Sequence, residues 1–368
     1  MLAARPFQDY PNLRYQCPMT GHSLHLKAAG NLPNSLLNLT EEKIADYLVT
    51  TDCTIAYPII DGIPFLTPED AVSAAPFDSP IESNRSEDIA EEVILYNRIA
   101  TQDLLLIDQT MENLFTKQLL SAVENTGSLG RFPSPMNLWV DSMGAADAQW
   151  EAYEHLMPLD DSIFLQLGGS GSHAIKALLA GAAIAGLVSP SPQEIRLART
   201  MAKKLGVEDR FFGIVSIGEA IPLSSCSVNR VYGGGCLHHT DINYSIPELA
   251  RISSPGGQLS FVDPRVNPLY DFWDRITGHM RFCGPEEETH DHPLDEDILK
   301  HLATKYFRQC KLYTSGGPTR YALILIKRVT GLSLSVTIAA RIFRYERYLL
   351  NRLGLERLFG EMATLLRA

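Results

Sequence analysis

The sequence lacks a dense cysteine pattern, a secretion signal and any long uncharged apolar run. Its six cysteines are scattered over 368 residues, which indicates reduced thiols and not a disulfide framework. No uncharged apolar stretch reaches the roughly 18 residues that a membrane-spanning helix needs. The N-terminus does not show the charged-then-apolar pattern of a signal peptide. We therefore expect a cytoplasmic protein without a stable membrane span.

Positive charge is also in short supply. The chain has 32 Lys and Arg against 43 Asp and Glu, which gives a formal net charge of -11. Binding to a phosphate backbone needs a basic surface, so this balance argues against a nucleic-acid partner. The hydrophobic share of 45% suffices for a large core, and the length suits two or three structural units.

Composition and periodicity divide the chain into five segments. The first ends in an apolar stretch around Asp61-Gly62 that is typical of a strand, a tight turn and a second strand. The segments are a small N-terminal α+β unit at 1–70, a linker at 71–90, a helical segment at 91–158, an α/β domain at 159–330 and an amphipathic helical segment at 331–368. Within the α/β domain we predict strands at 307–313 and 321–329, joined by a hairpin-like turn at 315–318.

The α/β domain opens with the most informative motif of the chain. An apolar run at 163–167 meets Gly168-Gly169-Ser170-Gly171-Ser172 and passes into a helical pattern. A strand, a glycine turn and a helix start in this order let a ligand approach bare backbone at a helix N-terminus. This motif predicts a nucleotide-type binding site.

Four further landmarks follow the glycine turn at the spacing of strands and helices. They are residues 189–199, residues 218–222, the His-bearing stretch 231–241 and the helix-turn-strand stretch 248–262 with its Pro-Gly-Gly turn. Together with the glycine turn they resemble the class I S-adenosylmethionine (SAM)-dependent methyltransferases. The resemblance implies an α/β fold, a Rossmann sheet with helices on both faces, with SAM as cofactor.

The resemblance also implies which residues contact the cofactor. Four of them depart from the family. Ser170 replaces a glycine, and Gln166, Ser189 and Ile217 stand where the family has acids, so neutral groups would have to replace the charge-assisted contacts. The implied cofactor-binding residues are Gln166, Gly168, Gly169, Ser170, Gly171, Ser189, Ile217, Gly218, Glu219 and Gly234.

Two histidines are the candidate catalytic residues. His238 and His239 follow the predicted fourth strand, at the edge of the sheet where open α/β proteins bind ligands. A histidine there can deprotonate a nucleophile near neutral pH. The alternative is a histidine that is packed and hydrogen-bonded at the start of the next helix.

The N-terminal unit has a resemblance of its own. Residues 15–67, with a Cys-Pro opening and a Tyr-Pro-Ile…Asp-Gly-Ile-Pro ending, resemble the small zinc-ribbon-like activator subunit of tRNA and protein methyltransferases. A structural zinc site needs four N or S ligands, and of the expected thiols only Cys17 and Cys53 are present. We therefore predict no metal here, and a solvated acidic loop, not a metal site, at 286–294.

These observations predict a SAM-dependent methyltransferase that acts on a small-molecule acceptor. The missing acids leave two alternatives, a changed reaction such as a cyclisation or isomerisation, and a non-catalytic binding role. The apolar face of the basic C-terminal segment has two interpretations, docking on its own domain or lying on an anionic membrane. The sequence leaves homodimerisation, the acceptor and its nucleophilic atom open.

Overall fold

The computed structural model describes ten stretches of the chain. They are residues 10, 12–37, 43–73, 86–115, 120–121, 144–266, 293–315, 317–332, 334–358 and 361–368. The predicted acidic loop falls almost entirely outside these residues. So do residues 74–85 of the predicted linker and most of 116–143 in the predicted helical segment.

The N-terminal unit is built on a small antiparallel sheet. Its strands run in the order β1-β2-β3-β4, and β5 pairs with the start of β3. Cys17 is buried with its sulfur 3.3 Å from the Tyr57 hydroxyl, whereas the Cys53 sulfur lies 3.2 Å from Lys27 Nζ. The elements are β1 (Leu24–Ala28), α1 (Asn34–Leu37), β2 (Asp46–Thr50), β3 (Ile55–Ile60), β4 (Ile63–Pro64) and β5 (Val72–Ser73).

Two helices connect this unit to the larger one, α2 (Ser86–Leu105) and α3 (Ile107–Leu114). The larger unit then alternates strands and helices. Its elements are α4 (Ala146–Leu156), β6 (Ile163–Leu167), α5 (Ser172–Leu179), β7 (Ile184–Ser189), α6 (Pro192–Lys204), β8 (Phe211–Val215), β9 (Val228–Gly234), α7 (Ile242–Ile252), β10 (Ser253–Pro264), α8 (Glu296–Tyr306), β11 (Gln309–Ser315), α9 (Pro318–Thr330), α10 (Val336–Leu353) and β12 (Glu361–Arg367).

The seven strands of the larger unit form one mixed sheet. Their order is β11-β12-β10-β9-β6-β7-β8, and β12 is antiparallel to both of its neighbours while the other pairings are parallel. A mainly parallel sheet needs cover on both faces, which explains why every residue of β7 is buried. Strand β6 shows the two faces directly, because Phe164 and Leu165 enter different apolar clusters. The predicted α/β sheet is confirmed.

The N-terminal unit covers part of one face of this sheet. Leu13, Tyr57 and Leu66 belong to the same apolar cluster as Leu165. An isolated bridge joins Phe65 to Val215 at the end of β8, and the Leu66 N–H donates to the Val215 carbonyl. The two units therefore share one core.

The predicted strand at 321–329 is wrong. These residues lie in helix α9, which Pro318 begins and Gly331 ends with a φ of +72°. Proline is favoured in the first turn of a helix, and glycine readily takes the left-handed conformation that ends one. The glycine-proline stretch that suggested a hairpin turn is thus the connection from β11 to a helix.

The prediction of a helical segment at 331–368 is correct for α10 and wrong for the residues that follow it. Gly354, with a φ of +66°, ends α10, and β12 then enters the sheet between β10 and β11. A short buried apolar run suits a strand or a helix equally well, and here pairing with distant strands decides. Among the described residues, no helix has both the length and the apolar character to cross a bilayer.

Candidate functional site

A cleft opens at the carboxyl ends of β6, β7, β8 and β9, and α2 covers it. Its empty volume is about 860 Å³, which includes the part open to solvent. Glu92, Val93 and Tyr96 come from α2. The rest of the lining is Leu167, Gly168, Gly169, Val188, Ser189, Pro190, Ser191, Glu194, Ser216, Ile217, Gly218, Glu219, Gly234, Gly235, Cys236, His239 and Thr240.

The glycine turn forms one wall of the cleft. Gly168 and Gly169 have φ values of +66° and +77°, a conformation that glycine adopts without the strain that a side chain adds. A Cβ on Gly168 would lie 3.0 Å from the Cys236 Cβ, so the absence of a side chain keeps this wall open. A ligand can approach the backbone closely here.

Gln166 stabilises the glycine turn through hydrogen bonds and does not line the cleft. Its amide nitrogen donates to the Gly168 carbonyl at 2.8 Å, and its amide oxygen accepts from the Ala174 N–H at 2.9 Å. An amide side chain can donate and accept at once, whereas an ionised carboxylate can only accept. The departure from an acid at this position therefore has a structural reason.

Two other residues of the motif also lie outside the cleft lining, Ser170 and Gly171. Gly171 precedes α5, and a Cβ there would come within 2.4 Å of the Ala198 Cβ on α6. This glycine allows α5 and α6 to pack closely. Of the implied cofactor contacts, the structure brings seven together in the cleft: Gly168, Gly169, Ser189, Ile217, Gly218, Glu219 and Gly234.

A buried carboxylate lies beside the end of β7, although the strand itself ends in a serine. Glu194, on the first turn of α6, accepts a hydrogen bond of 2.5 Å from the Ser189 hydroxyl, and the backbone of Gly169 also hydrogen-bonds it. Burial raises the pKa of Glu194 to about 7, against the lowering effect of these hydrogen bonds and of nearby His239. This carboxyl therefore changes its charge near neutral pH.

Ser189 itself is turned inward. Its fully buried hydroxyl donates to Glu194 and accepts the Ser191 N–H at 3.0 Å, so both of its roles are taken within the protein. It was predicted to contact the cofactor in place of a ribose-binding acid. The acidic group that lines the cleft at this strand end is Glu194.

We expect Ser189→Asp to destabilise the fold. The new carboxylate would be buried against Glu194, and two adjacent carboxylates cannot both ionise cheaply. The free energy of unfolding at about pH 8 should fall by about 2 kcal/mol, and part of the loss should return at about pH 5. Chemical denaturation at both pH values measures this, and Ser189→Asn is the uncharged control of equal size. Equal stability of the two variants at both pH values would contradict the buried contact.

The two candidate histidines have different surroundings. His239 lines the cleft, with Nδ1 2.8 Å from Glu92 Oε1. His238 is buried outside the lining, with Nδ1 2.9 Å from Asp263 Oδ1, and the two rings are 3.8 Å apart between centroids. The same Asp263 oxygen accepts the backbone N–H groups of Cys236, Leu237 and His238. His238 thus helps to hold the strand exit, whereas His239 and Glu92 both line the cleft.

The cleft has an acidic character. Glu92, Glu194 and Glu219 line it, and its described lining includes no Lys or Arg. Glu219 also accepts the Asp241 N–H at 2.8 Å, which ties the end of β8 to the start of α7. Burial raises the pKa of the Cys236 thiol well above its usual value, so this wall stays neutral near pH 7. Such a cleft favours a positively charged ligand.

Sequence reasoning missed Glu92, Tyr96 and Glu194. The first two lie on α2, far from the strands in the sequence. No local motif marks them as residues of the site. Glu194 did carry a signal, because Ser191-Pro-Gln-Glu194 has the spacing of a capping box. Ser191 does cap α6, while the Glu194 side chain turns to Ser189 instead of to the cap.

Comparisons with known proteins add a likeness of fold. No family model and no curated protein matches the chain. Geranyl diphosphate C-methyltransferase from Streptomyces coelicolor A3(2), solved with S-adenosyl-L-homocysteine, is similar over 61% of this chain and 78% of its own, at 13% identity and a TM-score of 0.44. A putative sarcosine dimethylglycine methyltransferase from Galdieria sulphuraria is similar over 60% and 84%, at 17% identity and a TM-score of 0.40. The cyclase SpnF is similar over 70% and 93%, at 15% identity and a TM-score of 0.42.

The seven-stranded mixed sheet, with apolar clusters on both of its faces, agrees with the α/β sheet that the sequence predicts. The zinc-ribbon resemblance of the N-terminal unit receives no support from these comparisons. Within the described residues, no three His, Cys, Asp or Glu side chains are grouped so as to hold a metal ion.

Proposed function

We propose that this protein is a SAM-dependent methyltransferase that acts on a small-molecule acceptor. The observation that carries the proposal is the cleft itself, an acidic pocket against a glycine turn at the carboxyl ends of four parallel strands. Open α/β sheets bind ligands at this edge. SAM has a positively charged sulfonium and an ammonium group, and Glu92, Glu194 and Glu219 complement such charges.

The residues present fit this cofactor. Gly168 and Gly169 leave bare backbone against which its amino acid end would lie. Glu194 is the carboxyl group that would accept hydrogen bonds from its ribose hydroxyls, in the place of the missing strand-end acid. Ile217 and Gly218 offer an apolar, open surface that suits a flat base.

SAM supplies an electrophilic methyl group, and the protein has to align an acceptor with it and remove the acceptor's proton. His239 would receive that proton, because it lines the cleft near Glu194. The Glu92 carboxylate, 2.8 Å from Nδ1, would balance the charge that the ring gains with the proton. His238 acts as a positioning residue through Asp263.

We propose a further role for the N-terminal unit, as a metal-free cover fused to the catalytic unit. The cluster that joins Tyr57 and Leu66 to the sheet supports it, as does the engagement of the Cys17 thiol with Tyr57. The free thiols of the described residues are consistent with a cytoplasmic location.

Calorimetric titration with SAM and with S-adenosylhomocysteine tests the proposal. Both should bind at one per chain. Moving from about pH 6 to about pH 8 should strengthen SAM relative to its uncharged-sulfur product by at least about threefold, because Glu194 gains a negative charge in that range within the cleft that would hold the sulfonium. Absence of binding by both ligands would refute the proposed cofactor. An unchanged affinity ratio would show that the charge of Glu194 does not act on the sulfonium.

A further inference from the structure

Two helices are inserted between the last two strands of the sheet. Helices α9 and α10 form a helical hairpin, residues 318–353, between β11 and β12. Ser315, at the end of β11, pairs with Glu361 at the start of β12, and Pro264 at the end of β10 pairs with the same residue. The chain therefore leaves and re-enters the sheet at the edge that carries the cleft.

One side of the helical hairpin is docked on the protein. Ala339, Ala340 and Phe343 of α10 are buried with Ala146 of α4. Arg347 lies within 4 Å of Glu151 and Asp147 on α4, and Arg344 also pairs with Glu151. These contacts hold the hairpin on α4. They bury only part of the hairpin's apolar surface.

The other side exposes large apolar side chains. Val329 is 76% exposed, Leu332 70% and Tyr345 66%. Further exposed apolar residues on the hairpin are Leu325, Ile326, Ile338, Tyr348, Leu349 and Leu353. Single exposed apolar residues are ordinary, but a set this large on two adjacent helices marks a surface that binds something.

Positive charge is concentrated on the same segment. Residues 318–353 contain seven Lys or Arg and one Glu, a formal charge of +6, in a chain whose total is -11. The remainder of the chain therefore carries -17. Lys327, Arg341 and Arg352 are exposed beside the apolar side chains, and Arg352 lies over the Tyr348 ring.

We propose that this exposed face of the helical hairpin docks on an anionic lipid surface, with its helices lying on the surface and not crossing it. Exposed aliphatic and aromatic side chains that alternate with basic ones match the interface of an anionic bilayer, which takes up both. A second copy of the chain complements this face poorly, because a two-fold contact would place Lys327, Arg341 and Arg352 against an equally basic surface. Nucleic acid would use the basic residues and leave the aliphatic ones unpartnered.

The position of the hairpin gives this surface a consequence. Because it is inserted at the cleft edge of the sheet, docking would bring that edge to the lipid. The surface does not depend on methyl transfer, and it can be tested without an acceptor.

Vesicle flotation with the full chain tests the docking surface. Protein should float with vesicles of phosphatidylcholine containing about 30% phosphatidylglycerol and remain behind with pure phosphatidylcholine, and salt should reverse the binding. Val329→Glu with Leu332→Glu should reduce the bound fraction at least about tenfold, and Lys327→Glu with Arg341→Glu should do the same. The matched control is Leu105→Glu with Leu106→Glu, two leucines 80% and 58% exposed next to the end of α2, which should bind as the wild type does.

Circular dichroism establishes that each variant is folded, and sedimentation velocity without lipid reports self-association. A monomer in solution that floats only with anionic vesicles supports the proposal. No flotation with anionic vesicles would overturn it. So would a control pair that reduces the vesicle-bound fraction as much as the hairpin variants do. A dimer that Val329→Glu with Leu332→Glu dissociates would also overturn it, because the surface would then bind a second copy.

Discussion

Replacing Gly168 by Val should abolish SAM binding in a protein that still folds. Gly168 has a φ of +66°, a region that β-branched residues avoid, and its Cβ position is 3.0 Å from the Cys236 Cβ. The added methyl groups would project from the wall against which the cofactor is proposed to lie. Because the side chain would fill the space of the cofactor's amino acid end, we expect the affinity to fall at least about 100-fold, which is about 2.7 kcal/mol. Calorimetric titration measures this loss.

The control separates strain from obstruction. Gly206 follows α6 with a φ of +69°, and its Cβ position has no heavy atom within 4 Å. Gly206→Val therefore adds comparable backbone strain without touching the cleft, and it should lose stability and retain affinity. Gly168→Ala serves if the valine variant does not fold. Unchanged affinity in a folded Gly168 variant would place the ligand elsewhere.

The sequence predicted the strands and the glycine turn well because their signals are local. The run that becomes β6, the positive-φ glycines after it and the start of α5 are contiguous, and each constrains the next. The predicted helix before the sheet is observed as α4. For such elements, propensity and tertiary packing favour the same conformation.

The sequence failed where distant residues decide the conformation. Residues 321–329 and 361–367 are both short apolar runs, and the first is a helix and the second a strand. Strand β12 exists because two edges, β10 and β11, are available to it on either side. No pattern within seven residues contains that information.

The candidate site shows the same division. Gly168, Gly169 and His239 were identified from motifs that lie on the chain next to strand ends. Glu92 comes from a helix that precedes the sheet, and only the fold brings it to His239. Ser189 was in the correct place but with the wrong orientation, since a hydroxyl that can both donate and accept is easily satisfied by its own neighbours.

Glu194→Gln should remove a large pH dependence of stability. The pKa of Glu194 is about 7 in the folded protein against an ordinary value of 4.5, and burial is the main cause. A carboxyl whose pKa is raised on folding binds its proton more tightly in the folded state. Its contribution to stability is therefore complete below about pH 4.5 and is lost as the pH rises to about 7.

A shift of this size corresponds to about 3 kcal/mol between the two limits, at 1.36 kcal/mol for each pKa unit. From about pH 4 to about pH 8, the wild type should therefore lose about 3 kcal/mol more of its free energy of unfolding than Glu194→Gln does. Glutamine can still accept from Gly169 and donate to Ser189, so the variant should fold and be the more stable protein at about pH 8. Urea denaturation across this range measures both curves, and Glu112→Gln, at an exposed position on α3, should follow the wild type. Parallel curves for the wild type and Glu194→Gln would mean that the Glu194 carboxyl is solvated and has an ordinary pKa. The predicted pH dependence of the preference for SAM over S-adenosylhomocysteine would then lose its cause.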